Sequence, residues 1–287
     1  MTRWRETIVG ITRDVADRIR PLLGTAEANK DVGDGAGGDV TKHVDAVAEG
    51  VIIEGFRRTG EPVKIITEEQ GVVMVNGGPG SSAARLVAIV DPVDGSFNAT
   101  RNLPFLAVSI AIACGPLVRD ITDAAVLNIA TGDLFSASRG EGAWFNDKPA
   151  TVNRHAASMA DAAMGVDVNP KKGEFHRIDF FKQHEALLDA PKKIRVLGSN
   201  TLETCLVATG ALDCFVDVRG SLRLFDVAAA WLIVREAGGH VYEVRDGQAI
   251  DMGNRELAID GRLAVLASAT LALKEELLAL VRKGLNK

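Results

Sequence analysis

The run Leu86-Val87-Ala88-Ile89-Val90, followed by Asp91-Pro92-Val93-Asp94-Gly95, constrains this chain more than any other stretch. Its apolar half reads as a buried strand. It ends in two carboxylates and a glycine, which is poor packing chemistry. Two buried anions repel strongly unless something positive lies between them. The stretch therefore reads as a metal-binding strand end, with Ser96-Phe97-Asn98 opening a short helix behind it. The rest of the chain is expected to bring further ligands and the substrate walls to this point.

Composition narrows the function classes. The 287 residues suffice for one large domain or two small ones, and 47% hydrophobic with 25% charged residues is ordinary for a soluble globular protein. A net charge of −5 gives no electrostatic case for nucleic acid. No apolar run reaches a membrane span, and the first residues lack a signal peptide's apolar core. Cys114, Cys205 and Cys214 sit among apolar neighbours without a CxxC pair. Buried, reduced thiols in a cytoplasmic protein are the expectation.

Ile8, Ile11, Val15, Ile19 and Leu22 predict a helix over 5–23, fraying at Pro21. The glycine- and aspartate-rich segment 30–39 cannot form a packed element. It reads either as a connector or as a flap that closes on a charged ligand. A second helix is predicted over 41–59, with Thr41 as its cap and Asp45 one turn later. A strand at 63–67 ends in Glu68-Glu69. The turn 77–82 is no phosphate loop, because no Gly-Lys-Ser/Thr follows. Strands are predicted at 107–113, 123–129 and 133–138, then a loop over 140–149. Beyond 155 helices and strands alternate, with helices near 179–188, 200–209, from Asp226 to Gly238-Gly239, and 270–284. Residues 1–150 thus read as an α+β subdomain carrying most metal ligands. Residues 151–287 read as an α/β subdomain carrying Asp226 and the substrate pocket.

Hard divalent cations take oxygen ligands, and two of them about 3.5–4 Å apart clamp a phosphoryl group for in-line displacement. Glu69, Asp91, Asp94 and Asp226 are the candidates; Asp226 is equally a natural helix cap. Competing motifs fail on spacing: Pro92 and Val93 break an EF-hand, DxxD replaces the DxD of aspartyl-phosphate phosphatases, and HExxH and GxSxG do not occur. Gly95 and Ser96 offer backbone N–H groups to an anion. Water is then the nucleophile, with Ser96, Thr41 and Asp45 to orient and deprotonate it.

Four segments together resemble the inositol monophosphatase family, part of the lithium-sensitive, magnesium-dependent sugar phosphatases. They are Thr41-Lys42-His43-Val44-Asp45; Thr67-Glu68-Glu69; Asp91 to Asn98 with Pro104 to Ile110; and Phe225-Asp226-Val227-Ala228-Ala229-Ala230 with Glu236-Ala237-Gly238-Gly239. The resemblance implies a layered αβαβα fold, commonly homodimeric. It implies two or three Mg²⁺ ions, with Mn²⁺ as a substitute, held by Glu69, Asp91, the Val93 carbonyl, Asp94 and Asp226. Asp45 helps bind a further ion and activates water with Ser96, which stands where many members carry Thr. The glycine-rich segment matches the family's mobile metal-binding loop.

Seven residues before Asp226, where inositol-preferring members carry a Glu, this chain has Arg219. An arginine fork suits a second phosphate, although an exposed turn arginine is the plainer reading. In this segment the chain is similar to archaeal members acting on both fructose 1,6-bisphosphate and inositol monophosphates. That likeness places Arg195, Arg219, Gly198, Ser199 and Asn200 around the sugar phosphate together with Asp94, Gly95 and Ser96; Lys171 and Lys172 add charge. The expected function is Mg²⁺-dependent hydrolysis of small sugar phosphates, fructose 1,6-bisphosphate and inositol 1-phosphate among them. A narrow inositol monophosphatase and a 3′-nucleotidase or NADP phosphatase are the alternatives. A catalytically silent inositol-phosphate-binding protein is the reading from another class.

Overall fold

In a computed structural model, the chain is described at residues 3–36, 40–77, 85–170 and 176–285. Lys171 and Lys172, residues 37–39 of the glycine-rich segment, and 78–82 of the following turn lie outside the described residues. The helices are α1 (Arg3–Ile19), α2 (His43–Arg58), α3 (Ser96–Thr100), α4 (Arg177–Gln183), α5 (Glu185–Asp189), α6 (Asn200–Ala208), α7 (Ala228–Glu236) and α8 (Leu271–Leu285).

Two sheets carry the fold. The larger runs, in spatial order, Lys148–Ala150, Gly142–Phe145, Leu134–Ser138, Ile121–Asn128, Ala107–Ala113, Leu86–Asp94, Val63–Thr67 and Gly71–Val75. The smaller runs Lys193–Arg195, Ala163–Val166, Cys214–Leu222, Leu263–Ser268, His240–Arg245 and Gln248–Asp251. Their strands are apolar on both faces because both faces are covered. Ile65, Ala88 and Ile110 pack towards α1 and α2, whereas their neighbours Ile66, Ile89 and Ala111 pack towards α6 and α7. Phe215 and Val265 of the smaller sheet close on the other side of α6 and α7, while Cys214, Val216 and Leu266 turn to α5 and α8. The layers are therefore αβαβα. We propose a division near residue 150, one subdomain to each sheet.

Several local expectations are corrected. The 140–149 loop is a hairpin, Gly142–Phe145 with Lys148–Ala150, because Asn146 and Asp147 take φ of 47° and 63°, the mirror-image turn that joins twisted strands. Part of the glycine-rich segment, Asp31–Asp34, is an exposed strand paired with Val40–Lys42, in which Thr41 is buried. The helix near 179–188 is two short helices that meet at His184. Thr41 does not cap α2. Lys42 is the cap residue, and the Asp45 carboxylate accepts its backbone N–H at 3.1 Å. Cys205 and Cys214 are buried thiols, but Cys114 is exposed. Among the described residues no helix is long and apolar enough to cross a membrane.

Helices α1 and α2 pack closely only because Gly55 has no side chain. A Cβ there would lie 2.7 Å from Ile11 Cγ1 and 3.0 Å from its Cδ1. Gly55→Val is expected to lower the unfolding free energy by about 1–3 kcal/mol, measured by urea denaturation. The active site meets α2 at Asp45, about 15 Å along the helix from Gly55, and should keep its substrate KM.

Candidate active site

Strand register builds the acidic cluster. Val63–Thr67 runs parallel to the central strand with Thr67 opposite Val90. One residue further on in each strand, Glu68 and Asp91 take neighbouring positions. Pairing with Ala107–Ala113 is regular to Asp91, shifts, and resumes at Asp94. Pro92, without an N–H, lies within that irregularity, and the resulting bulge re-aims the following side chains. Gly95 then turns the chain with φ 95°; a Cβ would sit 3.1 Å from the Phe105 carbonyl oxygen and 3.2 Å from that of Gly198. Only glycine lets α3 start there.

The second sheet reaches the same point through hydrogen bonds. Asp94 Oδ2 accepts the Ser199 hydroxyl and the Thr201 N–H, each at 2.7 Å. Thr201 also donates its hydroxyl to the Asp226 carbonyl at 2.9 Å. Asn98 Nδ2 donates to the carbonyls of Phe105 (2.6 Å) and Leu197 (2.9 Å). Asp226 closes a 3₁₀ turn, Leu224–Asp226, and its Oδ2 accepts the Arg223 N–H at 2.6 Å. It therefore caps backwards onto Arg223; α7 begins two residues later.

The carboxylates crowd one another. Burial pushes the Asp91 carboxyl well above its ordinary range, and Glu68, Asp94, Asp226 and Asp45 push it further. Burial and then Asp226 raise Glu68, while Arg223 opposes them. Burial raises Asp94 against the Ser199 and Thr201 hydrogen bonds. Asp45 rises to about 7, chiefly by burial, with the Ser96 hydrogen bond opposing. Ser96 Oγ lies 2.8 Å from Asp45 Oδ1 and 2.9 Å from the Val93 carbonyl oxygen. Its single proton serves one of these acceptors at a time.

Among the described residues, no three His, Cys, Asp or Glu side chains close into a ready-made metal cage. Glu68 accepts a 2.8 Å ion pair from Arg223 Nη1. The donor set nevertheless fits a hard divalent ion, being carboxylate and carbonyl oxygen only. Asp91 Oδ1 is buried with no hydrogen-bond partner.

The sequence-predicted residues divide. Asp45, Ser96, Val93, Asp91, Asp94, Gly95, Gly198, Ser199 and Asp226 are linked by these bonds, contacts and charges. Asn200, at the first turn of α6, has a buried Oδ1 without a partner. Thr41 and Glu69 face each other instead, the Thr41 hydroxyl donating to Glu69. Glu68, not Glu69, is the acid that weighs on Asp91.

Arg219 requires a correction. Its side chain is only 4% exposed and is tied to Asp167 at 2.7 Å, to Asp217 and to the Asn169 carbonyl. It lines a separate cavity with α4 and α8 residues. The exposed Arg195 points its Nη1 at the Ile194 carbonyl, 2.9 Å away, and does not line the catalytic cleft. That cleft, about 780 Å³, is lined by Asp45, Glu68, Glu69, Ser96, Lys42 and Arg101 among others.

Three residues escaped the sequence reading. Glu68 is the acid first after the strand, which its register marks. Arg223 lies three residues before Asp226, the helical spacing of a cap. Glu49, buried on α2, accepts from the Thr67 hydroxyl (2.8 Å) and the Gln70 N–H (3.0 Å), holding the Glu68–Glu69 turn in place. Nothing in local sequence distinguishes Glu49 from a solvated helix residue.

A family model described as the inositol monophosphatase family matches residues 1–285. This chain belongs to the inositol monophosphatase family. The family is divalent-metal dependent, generally on Mg²⁺. The chain is 34% identical over 281 residues to a Methanothermobacter thermautotrophicus protein named fructose-1,6-bisphosphatase/inositol-1-monophosphatase, covering 96% of this chain and 95% of that one. It is 30% identical to a Methanococcus maripaludis bifunctional NADP phosphatase/NAD kinase, covering 94% of this chain and 48% of the relative. A solved Pyrococcus horikoshii structure, described as having similarities to inositol-1 monophosphatase, superposes with a TM-score of 0.76 at 29% identity, covering 99% of this chain and 98% of that one.

Two predictions follow from buried charges near the site. Removing Arg219 strands Asp167 and Asp217, so Arg219→Ala should destabilise the fold by about 3–5 kcal/mol; denaturant midpoints check this. The ratio of fructose 1,6-bisphosphate to inositol 1-phosphate turnover should stay constant. Glu203 on α6 is fully buried, with Oε2 accepting the Gly198 N–H at 3.2 Å, and burial lifts its carboxyl to about 8. The folded state thus holds a proton there that the unfolded state releases near pH 4.5. This group's contribution to stability is full below about pH 4.5 and declines as pH rises towards 8. Glu203→Gln should match the wild type at pH 5 and exceed it in urea midpoint at pH 9.

Proposed function

We propose that this protein is a Mg²⁺-dependent phosphomonoesterase that hydrolyses fructose 1,6-bisphosphate, to fructose 6-phosphate, and inositol 1-phosphate, with water as nucleophile. The observation that carries this reading is the convergence of Glu68, Asp91, Asp94 and Asp226 beside the Asp45–Ser96 pair, at a cleft large enough for a sugar bisphosphate. Glu68, Asp91, Asp94, Asp226 and the Val93 carbonyl would hold two or three ions, with Asp45 at the edge of the set. Bound there, Mg²⁺ supplies charge to the phosphate oxygens and a more acidic water.

The protein's own part is proton handling and orientation. Ser96 Oγ donates to Asp45 and so turns a lone pair outwards to accept a proton from water. Asp45, hydrogen-bonded to Ser96 Oγ, is the carboxylate placed to receive that proton. Gly95 brings the backbone close to the bound phosphate. Ser199 and Thr201 orient Asp94. Lys42 and Arg101 line the cleft and take the role of holding a second phosphate that Arg219 does not. A cytoplasmic homodimer completes the proposal.

The NADP phosphatase relative supports a second reading, with the 2′-phosphate of NADP as the group removed. Phosphate release from fructose 1,6-bisphosphate, inositol 1-phosphate and NADP in the presence of Mg²⁺ decides between the two. Comparable kcat/KM on the first two substrates is expected. Glu68→Gln and Asp91→Asn should each lower it by about 10³-fold, and Glu69→Gln by less. A preference for NADP above tenfold would favour the second reading. Absence of Mg²⁺-dependent release from all three would leave a silent binding protein.

A further inference from the structure

A second charged cleft lies at the far end of α7 from Asp226, roughly 13 Å along the helix. It has a volume of about 450 Å³ and gathers Arg119, Arg139 and Arg235 around Trp231. We infer that it binds a small oxyanion, the phosphoryl or carboxylate group of a metabolite, independently of the catalytic centre.

The three arginines come from separate parts of the chain. Arg119 lies in the 3₁₀ turn Val118–Asp120, Arg139 follows the strand Leu134–Ser138, and Arg235 is in the last turn of α7. All three are exposed at their residue surface, yet two are anchored by neutral acceptors. Arg119 Nη1 donates to Asn254 Oδ1, and Arg139 Nη2 to the Ile121 carbonyl. Neither bond cancels the charge. Arg235 stands over the Trp231 ring, 4.9 Å from its centroid, and its nearest anion is Asp251 at 3.7 Å.

The two acids at this cleft accept backbone N–H groups, and Asp251 also faces Arg235. Glu236 spends one oxygen on the Gly140 N–H and the other on the Gly142 N–H, each at 3.0 Å. Asp251 Oδ1 accepts the Gly253 N–H at 2.8 Å. Three guanidinium groups against two carboxylates leave one net positive charge in the cleft, with the buried indole of Trp231 as its wall. Guanidinium forks match the paired oxygens of phosphate and carboxylate, which an ammonium does not. The catalytic centre has the opposite character. Without a divalent ion its crowded carboxylates repel an oxyanion, so the two sites separate experimentally.

Isothermal titration of the metal-free protein with inorganic phosphate, and in parallel with malonate, tests this. One saturable site is expected for at least one of them: phosphate alone assigns a phosphoryl ligand, malonate alone a carboxylate ligand. Arg119→Ala/Arg139→Ala should weaken binding at least tenfold. Arg119→Lys/Arg139→Lys, which keeps the charge but loses the forks, should weaken it less. Asp91→Asn should leave the affinity unchanged. The double alanine variant should retain the wild-type melting temperature and Mg²⁺-dependent turnover of p-nitrophenyl phosphate, since neither arginine touches the catalytic centre. Binding unaffected by the double alanine change, lost with Asp91→Asn, or undetectable for both anions would overturn the assignment.

Discussion

Burial of neighbouring carboxylates is the constraint on which this structure depends. Asp91, Asp94 and Glu68 are held where burial and like charge both oppose ionisation. A fold of ordinary stability carries such an arrangement only if the rest of it is over-determined. The apolar sheet behind the cluster supplies that rigidity, with Ile65, Ile66, Ile89 and Ile110 all essentially inaccessible to solvent. The internal cation Arg223 removes part of the repulsion at Glu68. A divalent ion between the carboxylates would remove more, because its charge is double and it accepts oxygen from several directions.

The two sheets meet at the same acids. The tie from Asp94 to Ser199 and Thr201 crosses from one sheet to the layer above the other. Asn98 makes a similar crossing to Leu197. The hydroxyl of Ser199 has two duties, donating to Asp94 while accepting the Leu202 N–H as the cap of α6. The site is thus part of the joint between the layers, and a change in either subdomain is transmitted to Asp94.

Much of this was legible in the chain itself. The apolar run before Asp91, the helical spacing of Ile8, Ile11, Val15 and Ile19, and the Gly238-Gly239 stop after α7 each follow from local rules, and the structure has the corresponding elements. The hairpin at Asn146-Asp147 was missed because its two-residue turn carries Asn-Asp rather than the Asn-Gly that usually marks one. The choice between Glu68 and Glu69 was missed for a different reason. Adjacent residues at a strand end point to opposite sides, and only the parallel register with Val90 tells which side holds Asp91.

Arginine placement was the least legible. Arg219 and Arg223 are four residues apart and chemically identical, yet one is locked by Asp167 and Asp217 and the other pairs with Glu68. The layered class and the grouping of Asp45, Ser96 and Asp226 are what the family resemblance implies; by itself the sequence determined the strand that delivers Asp91 and Asp94 and the amphipathic first helix. Periodicity and local turn chemistry act over a few residues, and those features need no more. Which glutamate meets Asp91, and which acids Arg219 and Arg223 each meet, were decided by tertiary structure alone. Partners distant in the chain, as Glu68 is from Arg223 by 155 residues, settle such matters, and no local pattern records them.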